Sequence, residues 1–247
     1  MCVPLVVALG IAVLSGCGGA RADDAPVETK AFGFSGGSLT VDSDHSDLEI
    51  VPADVREVRV TRQVDGWVFM GNGPEASWRL ADGRLTLRVE CDAVAASCAA
   101  RHRIEVPRSV AVSVENDNGR VLADGFATAF SARSDNGDVI VRRAGGELDL
   151  QSGNGGVSVD AESRPSVVRA RTDNGDIRLS LGSVPRQVSA YSDNGDVEVG
   201  LPGSVSYAVD GSSDNGDVRI DVPVDQASGH SVSARSDNGE VVVRAVN

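Results

Sequence analysis

Lysine is almost missing: of 23 basic side chains only Lys30 is a lysine, and the rest are arginine. Aromatics are scarce, with two Trp, two Tyr and five Phe in 247 residues. So few large rings exclude a core built on them, and burial must come from Val, Leu, Ile and Ala. The three histidines, His45, His102 and His230, are scattered without metal-ligand spacing. No apolar run reaches the roughly 20 residues that a bilayer-spanning helix needs. Positive charge is also short: 36 acidic against 23 basic side chains leave a net charge of -13. That balance excludes the basic face that nucleic-acid phosphates require. It equally excludes docking on anionic lipid through the protein's own charges. What is present is 41% apolar, enough for one elongated domain, with Val placed periodically as a disordered chain would not place it.

Val3 to Leu14 is mostly apolar and uncharged, the length of an export-signal core. It ends in Leu14-Ser15-Gly16-Cys17, which resembles the lipobox of bacterial lipoproteins. That resemblance implies a signal over 1–16, a lipidated Cys17, and anchorage in the membrane through that lipid. A polar tether is expected over 17–37. No Lys or Arg precedes the apolar run, a departure from most export signals. Cys91 and Cys98 then form an even pair in an oxidising compartment, favouring a disulfide over a metal pair. The expected location is extracytoplasmic.

The body of the chain is repetitive. Asn-Gly recurs at Asn118, Asn136, Asn154, Asn174, Asn194, Asn215 and Asn238, with spacings of 18, 18, 20, 20, 21 and 23. Six and four residues before each Asn, and three and five after it, the side chain is apolar in 27 of 28 slots; Gly211 is the exception. Residues between these slots are mostly polar. Period-two alternation on both sides of a turn means two short strands, each with one buried face. Asn tolerates and Gly favours the left-handed backbone, so the pair bends the chain at little cost. Seven similar units favour a stack over separate hairpins. Coils of 18–23 residues have a perimeter near 66 Å at about 3.3 Å per residue. Seven rungs about 4.8 Å apart give a rod near 30 Å long. The position two before each Asn is Ser, Thr or Asn and points inward by parity.

An eighth copy runs from Leu39 to Ile50, with His45 in the Asn slot. Between Pro52 and Arg108 the repeat blurs, leaving strand-like runs at Glu57–Val64, Trp78–Val89 and His102–Val106 and a hairpin turn at Asp82-Gly83. The expected fold is all-β: a single-stranded β-solenoid over 38–247, regular from about 110, with a less regular N-terminal β region.

The repeated Ser-Asp-Asn-Gly-Asp-Val-x-Val words, and Ile104-Glu105-Val106-Pro107 leading into Val110, Val112 and Val114, carry a family likeness. The chain resembles the bacterial β-strand-repeat putative-adhesin family, a domain of unknown function, over roughly 38–247. The resemblance implies the fold and a surface role, and it supplies no catalytic residues.

Two acidic columns stand out. Asp173, Asp193, Asp214 and Asp237 precede the Asn; Asp176, Asp196, Asp217 and Glu240 follow it by two. Stacked at about 4.8 Å, like charges repel by about 0.9 kcal/mol per neighbour even in water. Calcium is one way to offset that, and it is the only cofactor the sequence raises. The other is that the carboxylates accept backbone N–H groups, with nearby arginines softening the field. Trp67, Phe69 and Trp78 either cap the stack or form a binding surface. Gly33-Phe34-Ser35-Gly36-Gly37 matches a serine-hydrolase elbow in letters but lacks its strand–helix context. No nucleophile, base and orienting acid converge, so a non-enzymatic envelope module binding a protein or glycan is expected. An envelope-stress sensor is the alternative, and a carboxylate-based polysaccharide enzyme a further one, although the regular acids argue against a local catalytic site. The uncapped Val241-Val242-Val243 terminus suggests self-association through that end.

Overall fold

The computed structural model describes Ala22 and residues 25–246, with backbone only at 68, 69 and 92–96. The expected signal over 1–16 and Cys17 lie outside the described residues. Nineteen strands and no α-helix are present among the described residues.

Each Asn-Gly unit forms two strands flanking its turn. The first strands are β2 (Ser38–His45), β6 (Ala111–Asn118), β8 (Phe130–Asn136), β10 (Leu148–Asn154), β12 (Val167–Asn174), β14 (Gln187–Asn194), β16 (Ala208–Asn215) and β18 (Ser231–Asn238). The second strands are β3 (Asp47–Ala53), β7 (Val121–Asp124), β9 (Val139–Arg142), β11 (Val157–Val159), β13 (Ile177–Ser180), β15 (Val197–Pro202), β17 (Val218–Asp221) and β19 (Val241–Val246). All first strands pair in parallel with one another, and so do all second strands. The register aligns like slot with like slot: Asn136, Asn154, Asn174 and Asn194 face one another across successive rungs, and His45 faces Asn118. The apolar slots turn inward and form one core, including Val112, Phe130, Leu148, Val168, Ile177 and Val199. Each fully buried Val or Leu contributes about 1.5–3 kcal/mol. Many small side chains thus replace the few large ones that the composition lacks.

The rungs do not stack in chain order. β14 pairs with β18, and β18 pairs in turn with β16. Likewise β15 pairs with β19, and β19 with β17. The last coil of the chain is therefore inserted between the two that precede it. Ser231 N–H donates to Arg186 C=O at 3.0 Å, and Ala208 N–H donates to His230 C=O at 2.9 Å, which fixes this insertion. The expected open end at Val241–Val243 is corrected: Val241 and Val243 are fully buried between rungs, and the exposed end is the coil of β16 and β17. A physical reason is at hand. The end coil carries Gly211, the one core slot without a side chain, so it gains least from neighbours on both sides.

The opposite end is closed by antiparallel strands. β4 (Glu57–Ala81) and β5 (Arg84–Pro107) form a long hairpin about the Asp82-Gly83 turn, whose φ values are 51° and 75°. The two ends of β5 join the first rung, alongside β2 and β3. β1 (Val27–Gly33) covers the outer edge of β4. β1 thus occupies part of the stretch expected as tether. The runs that read as separate strands between 57 and 106 are continuous, because the weak-patterned segment between them is also paired strand.

Candidate functional site

Two features distinguish themselves from the uniform body: the bend columns and the open end.

At the bends, the asparagines form a side-chain ladder. Asn136 Nδ2 donates to Asn118 Oδ1 at 3.1 Å, Asn154 to Asn136 at 2.9 Å, Asn174 to Asn154 at 3.1 Å and Asn194 to Asn174 at 3.2 Å. Asn238 donates to Asn194 and Asn215 to Asn238, both at 3.1 Å, so the ladder follows the rearranged order. Inside it, the expected inward hydroxyls bond the glycine carbonyl of the adjacent rung: Ser152 to Gly137 at 2.9 Å, Thr172 to Gly155 at 2.8 Å, Ser192 to Gly175 at 2.9 Å. An added Cβ at Gly175 or Gly195 would overlap the carbonyl of the glycine in the next rung. The Asn-Gly step is therefore demanded by close stacking as much as by the turn.

Most carboxylates of the acidic columns are engaged by the protein itself. Asp138 Oδ1 accepts Gly156 N–H at 2.8 Å, Asp176 Oδ1 accepts Asp196 N–H at 3.0 Å, and Asp196 Oδ1 accepts Glu240 N–H at 2.8 Å. Glu240 is also 3.5 Å from Arg219. In the other column Arg171 lies 3.3 Å from Asp173 and 3.1 Å from Asp193. Tyr191 Oη donates to Asp237 at 2.9 Å. The carboxylates of Asp193 and Asp237 push the Tyr191 phenol up to about 12. Among the described residues no three Asp, Glu, His or Cys side chains converge as a metal site. In each of the bonds to Asp138, Asp176 and Asp196 the donor is a backbone N–H of the adjacent rung and the carboxylate accepts.

At the open end the stacking partners stop. Val218 and Ile220 are 42% and 41% exposed, although the same slots one rung in, Val241 and Val243, are fully buried. Val224, four residues beyond Ile220, is 49% exposed. β16 and β17 each present a strand edge that pairs with no other strand among the described residues. Asp210, Asp214, Asp217, Asp221 and Asp225 line this coil, with Arg219 as its one arginine. Asp210 is held by Arg235 of the adjacent rung, while Asp214 and Asp217 have no side-chain partner among the described residues. The surface offers backbone donors and acceptors, an apolar strip and negative charge. The sequence signals that would have found it are Gly211 and the long final spacing.

The tryptophans separate. Trp78 packs on the core, edge-on to Phe32 at 6.3 Å and under the Arg62 guanidinium at 4.0 Å, so it caps the closed end. Trp67 is 44% exposed. Phe69 is paired with Ala95 through the backbone, and its side chain lies outside the described residues. Cys91 and Cys98 are joined by a disulfide. His45 sits at the surface of the first bend, and no helix among the described residues is long and apolar enough to cross a membrane.

Among the described residues, His102 is the one buried group whose pKa is shifted far. It is 1% exposed, and neither ring nitrogen has a hydrogen-bond partner. Burial, then the Arg62 charge, lower its pKa to about 4 against a weaker opposing pull from Asp44.

Comparison with known proteins agrees with this architecture. The family described as Toastrack DUF4097 matches residues 110–247, the regular part of the stack. A solved structure described as a putative adhesin from Bacteroides fragilis NCTC 9343 is similar at 14% identity, covering 90% of this chain and 97% of that one, with a TM-score of 0.58. A putative cell adhesion protein from Clostridium sporogenes ATCC 15579 shares 12% identity over 90% of this chain and 100% of that one, with a TM-score of 0.35. At these identities the first likeness speaks for fold alone, and the second is too loose to bear on it. No curated protein matches the chain.

Proposed function

We propose that this chain, which belongs to the Toastrack DUF4097 family, is a lipid-anchored, non-enzymatic binding or scaffolding module of the cell envelope. Its two parallel ladders are read as the faces of a β-solenoid, a rigid body that holds one recognition surface away from the membrane. The observation that carries this reading is the asymmetry of the two ends: one is covered by antiparallel strands, the other presents two free edges around exposed Val218 and Ile220. Free edges accept an added strand from a partner, with main-chain hydrogen bonds for affinity and side-chain pockets for specificity. The five aspartates of the end coil favour a basic partner and repel a second acidic copy of the same end. The lipobox-like Leu14-Ser15-Gly16-Cys17 supports the extracytoplasmic placement. The regular use of the acids in backbone and arginine contacts supports a structural over a catalytic role.

The test is retention of envelope components on the immobilised chain. Wild type should retain a defined protein or peptide, and Ile220→Arg should retain at least about tenfold less, a loss near 1.4 kcal/mol. Equal retention by the variant, or a soluble product released from envelope polysaccharide, would remove this reading.

A further inference from the structure

A second surface lies at the opposite corner. In regular rungs a short bend joins the two faces; β2 and β3, for example, are separated by Ser46 alone. In the rung built by β5, the bend is replaced by a long excursion: Leu87 is in register with Ser43 on one face, and Arg101 with Asp47 on the other. β4 follows β5 through this excursion, pairing Val64 with Ala100, Phe69 with Ala95 and Asn72 with Asp92. The result is a two-stranded arm, folded back on itself, that along 64–75 pairs with no other strand among the described residues. The Cys91–Cys98 disulfide ties its outgoing and returning halves together. At about 3.3 Å per residue, the six residues from Val64 to Phe69 span about 20 Å.

The arm's outer part carries no charge from Gly66 to Pro74 or from Ala93 to Ala100, and its acids, Asp65, Glu75, Glu90 and Asp92, flank those stretches. Trp67-Val68-Phe69-Met70 is apolar at every consecutive position, so period-two alternation cannot hide it on one face of a ribbon. Trp67 is 44% and Met70 74% exposed. A single flat partner covers one face of a ribbon, whereas a lipid surface accepts both, and Trp settles at the headgroup level.

The route of the chain points the same way. Val27, 63% exposed, begins β1 and pairs with Gln63, the residue before the arm departs. Cys17 is ten residues upstream of Val27, a reach of at most about 36 Å. We infer that the Trp67–Met70 arm is a second membrane contact: its apex inserts into the interfacial layer of the bilayer that the N-terminal chain approaches. This rests on the proposed envelope placement only for which membrane it meets, and it stands whatever the open end binds.

Trp67 is a built-in reporter, since Trp78 is the only other tryptophan. In the full chain carrying Trp78→Phe, mixed with phosphatidylcholine vesicles, Trp67 emission should shift to the blue. Lipids brominated on the acyl chain should quench it, and acrylamide should quench it less than without vesicles. Trp67→Ser with Met70→Ser should lower vesicle partition at least about tenfold. Cys17→Ser separates anchoring from insertion: total partition falls, and Trp67 in the bound fraction remains quenched by brominated lipid. Equal acrylamide quenching with and without vesicles, or no vesicle partition by the full chain, would overturn the inference.

Discussion

A single asparagine in this protein has three tasks. It bends the chain, it donates to the asparagine below and it accepts from the one above. Asn174 makes both side-chain bonds, at 3.1 and 3.2 Å, whereas Asn215 at the open end only donates. Asn174→Ala should therefore destabilise by about 1–2 kcal/mol and Asn215→Ala by about half that, measured as a shift in urea midpoint at constant slope. His102 is the complementary case, a buried polar group without partners. Its pKa falls from 6.5 to about 4 on folding, so the unfolded chain binds more protons between those values. Stability from the neutral ring is complete above pH 6.5 and is lost as the pH falls toward 4, with a slope of at most about 1.4 kcal/mol per pH unit. His102→Leu should flatten that part of the stability–pH curve relative to wild type. The Asn column, the inward Ser and Thr, and His45 as a degenerate Asn were all legible in the sequence, because each follows from parity around one turn. The solitude of His102 was not, since it depends on which strands cross outside the repeat.

At the scale of the element, each coil is a pair of strands stabilised by its neighbours and very little by itself. Position in the stack therefore decides what a substitution costs. Val197 and Val218 occupy the same slot of the repeat, and Val197 is fully buried while Val218 is 42% exposed. Val197→Asp should cost about 4 kcal/mol or unfold the protein, while Val218→Asp should cost under about 1 kcal/mol, read from thermal melts. The acidic columns behave as elements too. Their carboxylates accept N–H groups of adjacent rungs at 2.8–3.0 Å and pair with arginines. Millimolar calcium or EDTA should accordingly leave the melting temperature unchanged within a degree or so; a rise of several degrees with calcium would favour calcium binding in the columns instead. The existence of these strands was readable from alternation alone. The 25 residues of β4 were not, because residues 66–74 are apolar and Gly-rich without alternation, and only pairing with β5 makes them strand.

At the scale of the whole molecule, the order of the coils determines what the protein presents. Identical words give every rung the same edge, so parallel pairing alone does not distinguish one sequence of rungs from another. Discrimination falls to departures from the repeat. Gly211 leaves a core slot empty in the coil that ends up exposed, and the spacing of 23 before Asn238 gives the chain length to pass over it. Val241-Val242-Val243, read alone as an uncapped terminus, is a strand fit for burial between two others. The account of function depends on this arrangement, since it sets both the free edges and their ring of aspartates.

The most direct measurement is cross-strand disulfide trapping. Ser189 faces Ser233 in register, and neighbouring strands about 4.8 Å apart lie within disulfide reach. Stacking in chain order would instead set Ser189 against Asp210, which here is in register with Ser233 on the far side. The account predicts that Ser189→Cys with Ser233→Cys oxidises readily, as mapped by non-reducing peptide mass spectrometry, and that Ser189→Cys with Asp210→Cys does not. Efficient closure of the 189–210 pair, with 189–233 left reduced, would contradict it.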